Sequence, residues 1–118
     1  MLLQEIANSL DLTLMTPSIP LDRPVVSGYA ADLLSCVMAA AKAGTLWVTL
    51  QAHPNVVAVA SLLNLAGVII TEGATTSPET LARAEQEGIP LFSTAAGTYT
   101  VAGELAALGI VGVEEIAE

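Results

Sequence analysis

The run Gly67-Val68-Ile69-Ile70-Thr71 decides the fold. Its apolar residues do not alternate with polar ones, which is the pattern of a strand covered on both faces. Two other runs match it, Leu46-Trp47-Val48-Thr49-Leu50 before it and Ile89-Pro90-Leu91-Phe92-Ser93 after it. Each follows a glycine that closes a helical stretch (Gly44, Gly67 and Gly88), and a fourth such glycine stands at Gly109. Glycine suits the end of a helix because it reaches the left-handed conformation without steric cost. Helix, glycine and buried strand recur every 21 to 23 residues, the mark of stacked parallel βα units. The expected fold is therefore α/β, a mainly parallel sheet of about five strands with helices on both faces.

Toward the N-terminus the pattern changes. Leu3, Ile6, Ala7 and Leu10 fall at helical spacing and predict a short first helix over 2–10. Residues 12–15 read as an edge strand, and Pro17, Pro20 and Pro24 stiffen the loop after it. Residues 25–30 read as the first inner strand, followed by Asp32 as the N-cap of a helix with Leu33, Leu34, Val37, Met38 and Ala41 on one face. Ser77-Pro78-Glu79 begins another helix, with proline at the first helical position and an acid near the positive end of the dipole. Glu114, Glu115 and Glu118 form an acidic tail expected to fray.

Length and composition bound the function. The chain has 118 residues, 53% of them apolar and 13% charged, enough for one domain over 1–118 and too apolar for disorder. Three Lys and Arg against twelve Asp and Glu give a net charge of −9, which argues against neutralising the phosphates of a nucleic acid. The single Cys36 closes no intrachain disulfide, makes no zinc site, and reads as a small core residue. The start of the chain lacks the basic and apolar regions of a signal peptide. The uncharged stretch 43–70 is broken by Gly44, Gln51, His53, Pro54 and Asn55, so no membrane span is expected. The reading is a cytoplasmic protein with no cofactor and no bound metal.

Two helices carry little polar surface. Residues 33–42 hold only Ser35 and Lys42, and residues 55–66 only Asn55, Ser61 and Asn64. A helix apolar all round needs cover all round. The expected cover is a second copy of the chain, a homodimer packed through Ala39, Ala40, Ala58 and Ala60. The alternative is that alanine tolerates water and needs no cover.

In a parallel sheet, ligands bind beyond the carboxyl ends of the strands. That rule gathers Ser27, Gln51, His53, Asn55, Thr71, Glu72, Ser93 and Thr94 as candidate ligand-binding residues. Helix N-termini at the same edge offer free N–H groups to an anion. His53, the one histidine, could donate to a phosphate, act as a base or ligate a metal. The simpler reading is a turn histidine that helps start the helix, with Pro54 in the first turn and Asn55 as an N-cap. Glu72 could be an acid, a base or a metal ligand, or a solvated loop carboxylate. Trp47 reads as core or interface. No Walker phosphate loop, Gly-x-Gly-x-x-Gly, Gly-x-Ser-x-Gly, Cys-x-x-Cys or His-Glu-x-x-His is present, so no catalytic residues are assigned.

The segments Val68-Ile69-Ile70-Thr71-Glu72-Gly73, Glu87-Gly88-Ile89-Pro90-Leu91-Phe92-Ser93-Thr94 and Tyr99-Thr100-Val101-Ala102 resemble the DRTGG domain. Ser27-Gly28-Tyr29-Ala30-Ala31-Asp32-Leu33-Leu34 fits the early strand-to-helix segment of that family, and the similarity extends over 2–108. Such domains occur beside CBS pairs in regulated pyrophosphatases and in some phosphotransacetylases, and resemble the N-terminal domain of HPr kinase/phosphorylase. The resemblance implies that last fold and a regulatory or dimerising module. The kinase's phosphate loop lies in a domain that this sequence does not contain. Thr71 and Gly73 match the family's Thr-Gly-Gly segment, with Glu72 in place of the middle glycine. Ala52-His53-Pro54-Asn55 stands where the family's Asp-Arg pair aligns.

The function expected from all this is a non-catalytic regulatory or dimerisation module that acts on a partner protein and responds to a ligand. The alternative is a sensor that binds a nucleotide-like small molecule at the strand ends. A small enzyme using His53 and Glu72 is the third reading.

Overall fold

The computed structural model describes residues 1–116. In chain order the elements are α1 (Leu3–Ser9), β1 (Thr13–Leu14), β2 (Ser27–Ala30), α2 (Leu34–Ala40), β3 (Thr45–Thr49) and α3 (Pro54–Leu62). Then come β4 (Gly67–Ile70), α4 (Pro78–Glu87), β5 (Leu91–Ser93), α5 (Thr98–Ala107) and a 3-10 helix at Val113–Glu115. The five strands form one sheet in the order β1-β5-β4-β3-β2. Strands β2 to β5 are parallel, and β1 runs antiparallel to β5.

The α/β fold expected from the sequence is present, with helices on both faces. The three apolar runs form β3, β4 and β5 because every residue of β3 and β4 is buried. Side chains alternate between two cores. Trp47, Val68, Ile70 and Leu91 meet Val37 of α2, the valines of α3 and Ala84 of α4. Leu46, Val48, Ile69 and Phe92 meet Leu3 and Ile6 of α1 and Val101 and Leu105 of α5. The Trp47 indole N–H donates to the Ala31 carbonyl at 2.8 Å, which satisfies the one polar atom of that buried side chain. No helix among the described residues is long and apolar enough to cross a membrane.

Several local expectations are corrected. Strand β2 is an edge strand rather than an inner one, and Val25 and Val26 precede it. Asp32 does not cap α2, whose N-cap is Leu33 without a side-chain bond. Its carboxylate instead accepts from Thr49 Oγ1 at 2.8 Å and from the Leu50 N–H at 2.9 Å, across the exit of β3. Gly44, Gly88 and Gly109 are left-handed as expected, but Gly67 belongs to β4, and Asn64 takes the left-handed position after α3. Glu114 and Glu115 lie in the 3-10 helix, whereas Glu118 falls outside the described residues.

The two bare helices have different explanations. Helix α3 packs against both α2 and α4 over the sheet. Its Val56, Val57 and Ala60 are fully or almost fully buried within one chain, while Ala58 is half-buried and Leu62 exposed. Ala60 is therefore closed to a second copy. Helix α2 buries only Val37. Leu33 and Met38 stay exposed, as do Ala39 and Cys36, so Cys36 is not a core residue.

Gly44 and Gly88 separate two costs of a side chain. At Gly88 an added Cβ meets nothing within 4 Å, so Gly88→Ala costs only the left-handed conformation, about 1–2 kcal/mol. At Gly44 the same atom would stand 2.7 Å from Val26 Cγ2 and 3.3 Å from Val26 Cβ. A β-branched side chain has little freedom to yield, so urea unfolding should show a larger loss for Gly44→Ala than for Gly88→Ala. Equal losses would mean that Val26 moves aside freely.

Candidate functional site

Because β2 to β5 are parallel, their carboxyl ends share one edge, and four loops leave it. The polar residues there are joined mostly to backbone. Thr71 is buried, and its hydroxyl lies 2.6 Å from Thr98 Oγ1. Glu72 is left-handed, with φ 62°. Its N–H donates to the Ala96 carbonyl, while its Oε2 accepts from the Thr98 N–H at 2.9 Å. The Gly73 N–H donates to the Thr94 carbonyl, and Thr94 Oγ1 accepts from the Ala96 N–H. Thr71, Glu72 and Thr94 thus bind the loop after β4 to the loop after β5.

Glu72 explains how α5 begins. The N-cap of α5 is Gly97, which has no side chain to offer the free N–H groups of the first turn. The Glu72 carboxylate supplies the acceptor from another loop, with negative charge at the positive end of the helix. A Cβ at Gly97 would stand 3.2 Å from Glu72 Oε2, so the small residue leaves room for the carboxylate. The helix terminus that topology offers to an anion is occupied by the chain's own acid.

His53 has the same kind of task. It is the N-cap of α3, and its Nδ1 accepts from the Asn55 N–H at 3.1 Å. An accepting Nδ1 places the proton of the neutral ring on Nε2. Asn55 is inside the helix rather than its N-cap, a position His53 takes. Gln51 is exposed, and its N–H donates to Thr49 Oγ1. The Ala52 carbonyl accepts from Thr80 Oγ1 at 2.9 Å, which fastens the His53 loop to α4. Ser93 ends β5 half-buried, in register with Ile70. Ser27 lies apart from the others. It is fully buried at the amino end of β2, bonded to Thr45 Oγ1 at 2.9 Å.

The sequence pointed to no cavity, yet one lies beside β2. A cleft of about 180 Å3 is lined by Gly28, Ala30, Val48, Ala102, Leu105 and Ile110, among others. Its sequence signal was weak because half of its lining is glycine and alanine, drawn from segments far apart in the chain. No group of three or more His, Cys, Asp or Glu side chains able to hold a metal lies among the described residues.

Comparison with known proteins follows the architecture. The family model described as the DRTGG domain matches residues 5–108. Among solved structures, the chain is similar to the CBS and DRTGG domains of the regulatory region of Clostridium perfringens pyrophosphatase, complexed with its activator diadenosine tetraphosphate. The TM-score is 0.69 at 16% identity, a likeness of fold. The match covers 98% of this chain and 50% of that one, so this chain spans half the length of that structure. No curated protein matches the chain in sequence.

The capping roles predict a pair of measurable losses. Glu72→Ala removes the acceptor for Thr98 and His53→Ala removes the acceptor for Asn55, each costing about 1 kcal/mol, within the 0.5–2 range of cap substitutions. Hydrogen exchange should quicken at the first turn of α5 in the first variant and of α3 in the second. Unchanged exchange at Thr98 in Glu72→Ala would show that the carboxylate does not hold the helix.

Proposed function

The chain belongs to the DRTGG domain family, and on that premise we propose that it is a non-catalytic regulatory module that responds to a small ligand and passes the response to a partner protein. The observation that carries this reading is the use of the acid and the histidine at the strand ends. Glu72 and His53 are engaged with the backbone N–H groups of α5 and α3, a holding role rather than the free acid and base that proton transfer needs. The structural neighbour supports the ligand part, because it is a regulatory region in complex with a nucleotide activator. The whole of 1–118 acts as one domain in this reading, with one sheet and a core on each face.

A second reading, direct sensing at the strand ends, has a specific observation in its favour. The bonds from Glu72 N–H to the Ala96 carbonyl and from Gly73 N–H to the Thr94 carbonyl, with the Thr71–Thr98 hydroxyl pair, tie two loops together, so a ligand that displaced one bond would shift both loops. The homodimer belongs to the proposal too. Leu33 at the N-cap of α2, Met38 on α2 and Leu62 at the end of α3 are exposed at neighbouring helices, which supports a face for a second copy.

Thermal unfolding against adenine and guanine nucleotides, diadenosine tetraphosphate, acyl phosphates and divalent cations tests the ligand response. A ligand at a hundred times its dissociation constant should stabilise by about 2.7 kcal/mol, a rise of several degrees. A rise abolished by His53→Ala assigns binding to the strand ends. Absence of any rise removes the ligand and leaves a scaffold for the partner. Light scattering at tens of micromolar should give twice the chain mass, reverting to the single mass in Met38→Asp; a monomer in the unaltered chain ends the dimer.

A further inference from the structure

We infer that the cleft between β2, α5 and the segment 110–112 is a second binding site, built for a small uncharged ring that carries a positively charged amine. Its floor is the sheet face at Gly28, Ala30 and Val48, and its walls are Ala102, Leu105 and Ala106 of α5 and Ile110, Val111 and Gly112. The space of about 180 Å3 is too small for a nucleotide, since sites for larger ligands run to about 300–1,000 Å3. It is enough for one ring, because an apolar cavity of about 150 Å3 holds benzene.

The cleft is held open by the chain's own contacts. The Gly28 N–H donates to the Val111 carbonyl at 2.8 Å, and Gly28 bridges Gly112, so 110–112 is fastened to the edge of β2. Val113 is buried behind it. The wall joins α5 at one end, where the Ile110 N–H donates to the Leu105 carbonyl at 3.1 Å, and Ala102 and Ala106 leave space beyond that junction.

Charge decides the class of ligand. Glu114 and Glu115 both fold around Gly112. A Cβ at Gly112 would stand 2.6 Å from Glu114 Oε1, and Glu115 Oε2 accepts from the Gly112 N–H at 3.3 Å. Two carboxylates therefore sit beside one wall of an apolar cleft that has no cationic residue in its lining. A phosphate or carboxylate would be repelled there, whereas an ammonium group would gain. None of the strand-end candidates lines this cleft, and its chemistry is opposite to that of a nucleotide's phosphates.

The test titrates the full chain, labelled with 15N, with benzylamine and separately with phenylacetate, which share a ring and differ in charge. Benzylamine should move the amide resonances of Gly28, Ala30, Ala102 and Gly112 saturably, with at least about fivefold higher affinity than phenylacetate. Ala102→Leu fills the cleft and should abolish those shifts; Ala106→Leu, at the exposed rim, repeats the test should the first variant fold poorly. Glu114→Gln with Glu115→Gln should erase the preference for the amine and leave the ring bound. The inference is overturned by no saturable shift, by shifts that persist in the filled variants, or by shifts at His53, Thr71 and Ser93 instead. The nucleotide panel reads a different site, so either result there leaves this test intact.

Discussion

Strands β3 and β4 expose none of their nine residues to water, five in one and four in the other, and that constraint orders the rest of the molecule. A strand buried on both faces requires a layer of helices on each side. Helices α2, α3 and α4 supply one layer, and α1 and α5 the other. Polar chemistry is thereby driven to the ends of the strands, where loops reach solvent. The apolar runs thus determine where a site can be before any polar residue is considered.

The polar residues at those ends are spent largely on backbone groups. A chain with twelve acids and three Lys and Arg has few cations to pair with its carboxylates. Four of the acids accept backbone N–H groups instead: Glu5 from Leu2, Asp32 from Leu50, Glu72 from Thr98 and Glu115 from Gly112. Hydrogen bonds to a charged acceptor are stronger than neutral ones, and a carboxylate at a helix N-terminus also meets the dipole. The excess of negative charge is in this way turned into loop and helix ends that stay in place. Glu72 takes a left-handed conformation and in return holds α5.

Helix α5 connects the two regions of interest. Its first turn is held by Glu72 at the strand ends, and its next turns wall the cleft beside β2. A change at either place bears on the same rigid element. The mainly apolar cleft and the polar edge thus share a helix, whose first turn is capped by Glu72 at the polar end.

Much of the fold was legible in the sequence because it rests on local, repeated signals. Non-alternating runs gave β3, β4 and β5, Ser77-Pro78 gave the start of α4, and the spacing of Leu3 and Ile6 gave α1. The DRTGG resemblance was legible for the same reason, since its segments are those runs with their glycines and prolines. Tertiary structure alone decided the rest. Strand order made β2 an edge, the neighbours of α3 buried its valines and Ala60, and Asp32 turned from a local cap to a bond across β3. The roles of Glu72 and the cleft at Gly28 were equally hidden. Glu72 acts on a residue 26 positions away, and the cleft is assembled from segments that only the folded chain brings together. Periodicity reports which face of an element is buried, but which carboxylate reaches which N–H depends on distances that exist only after packing.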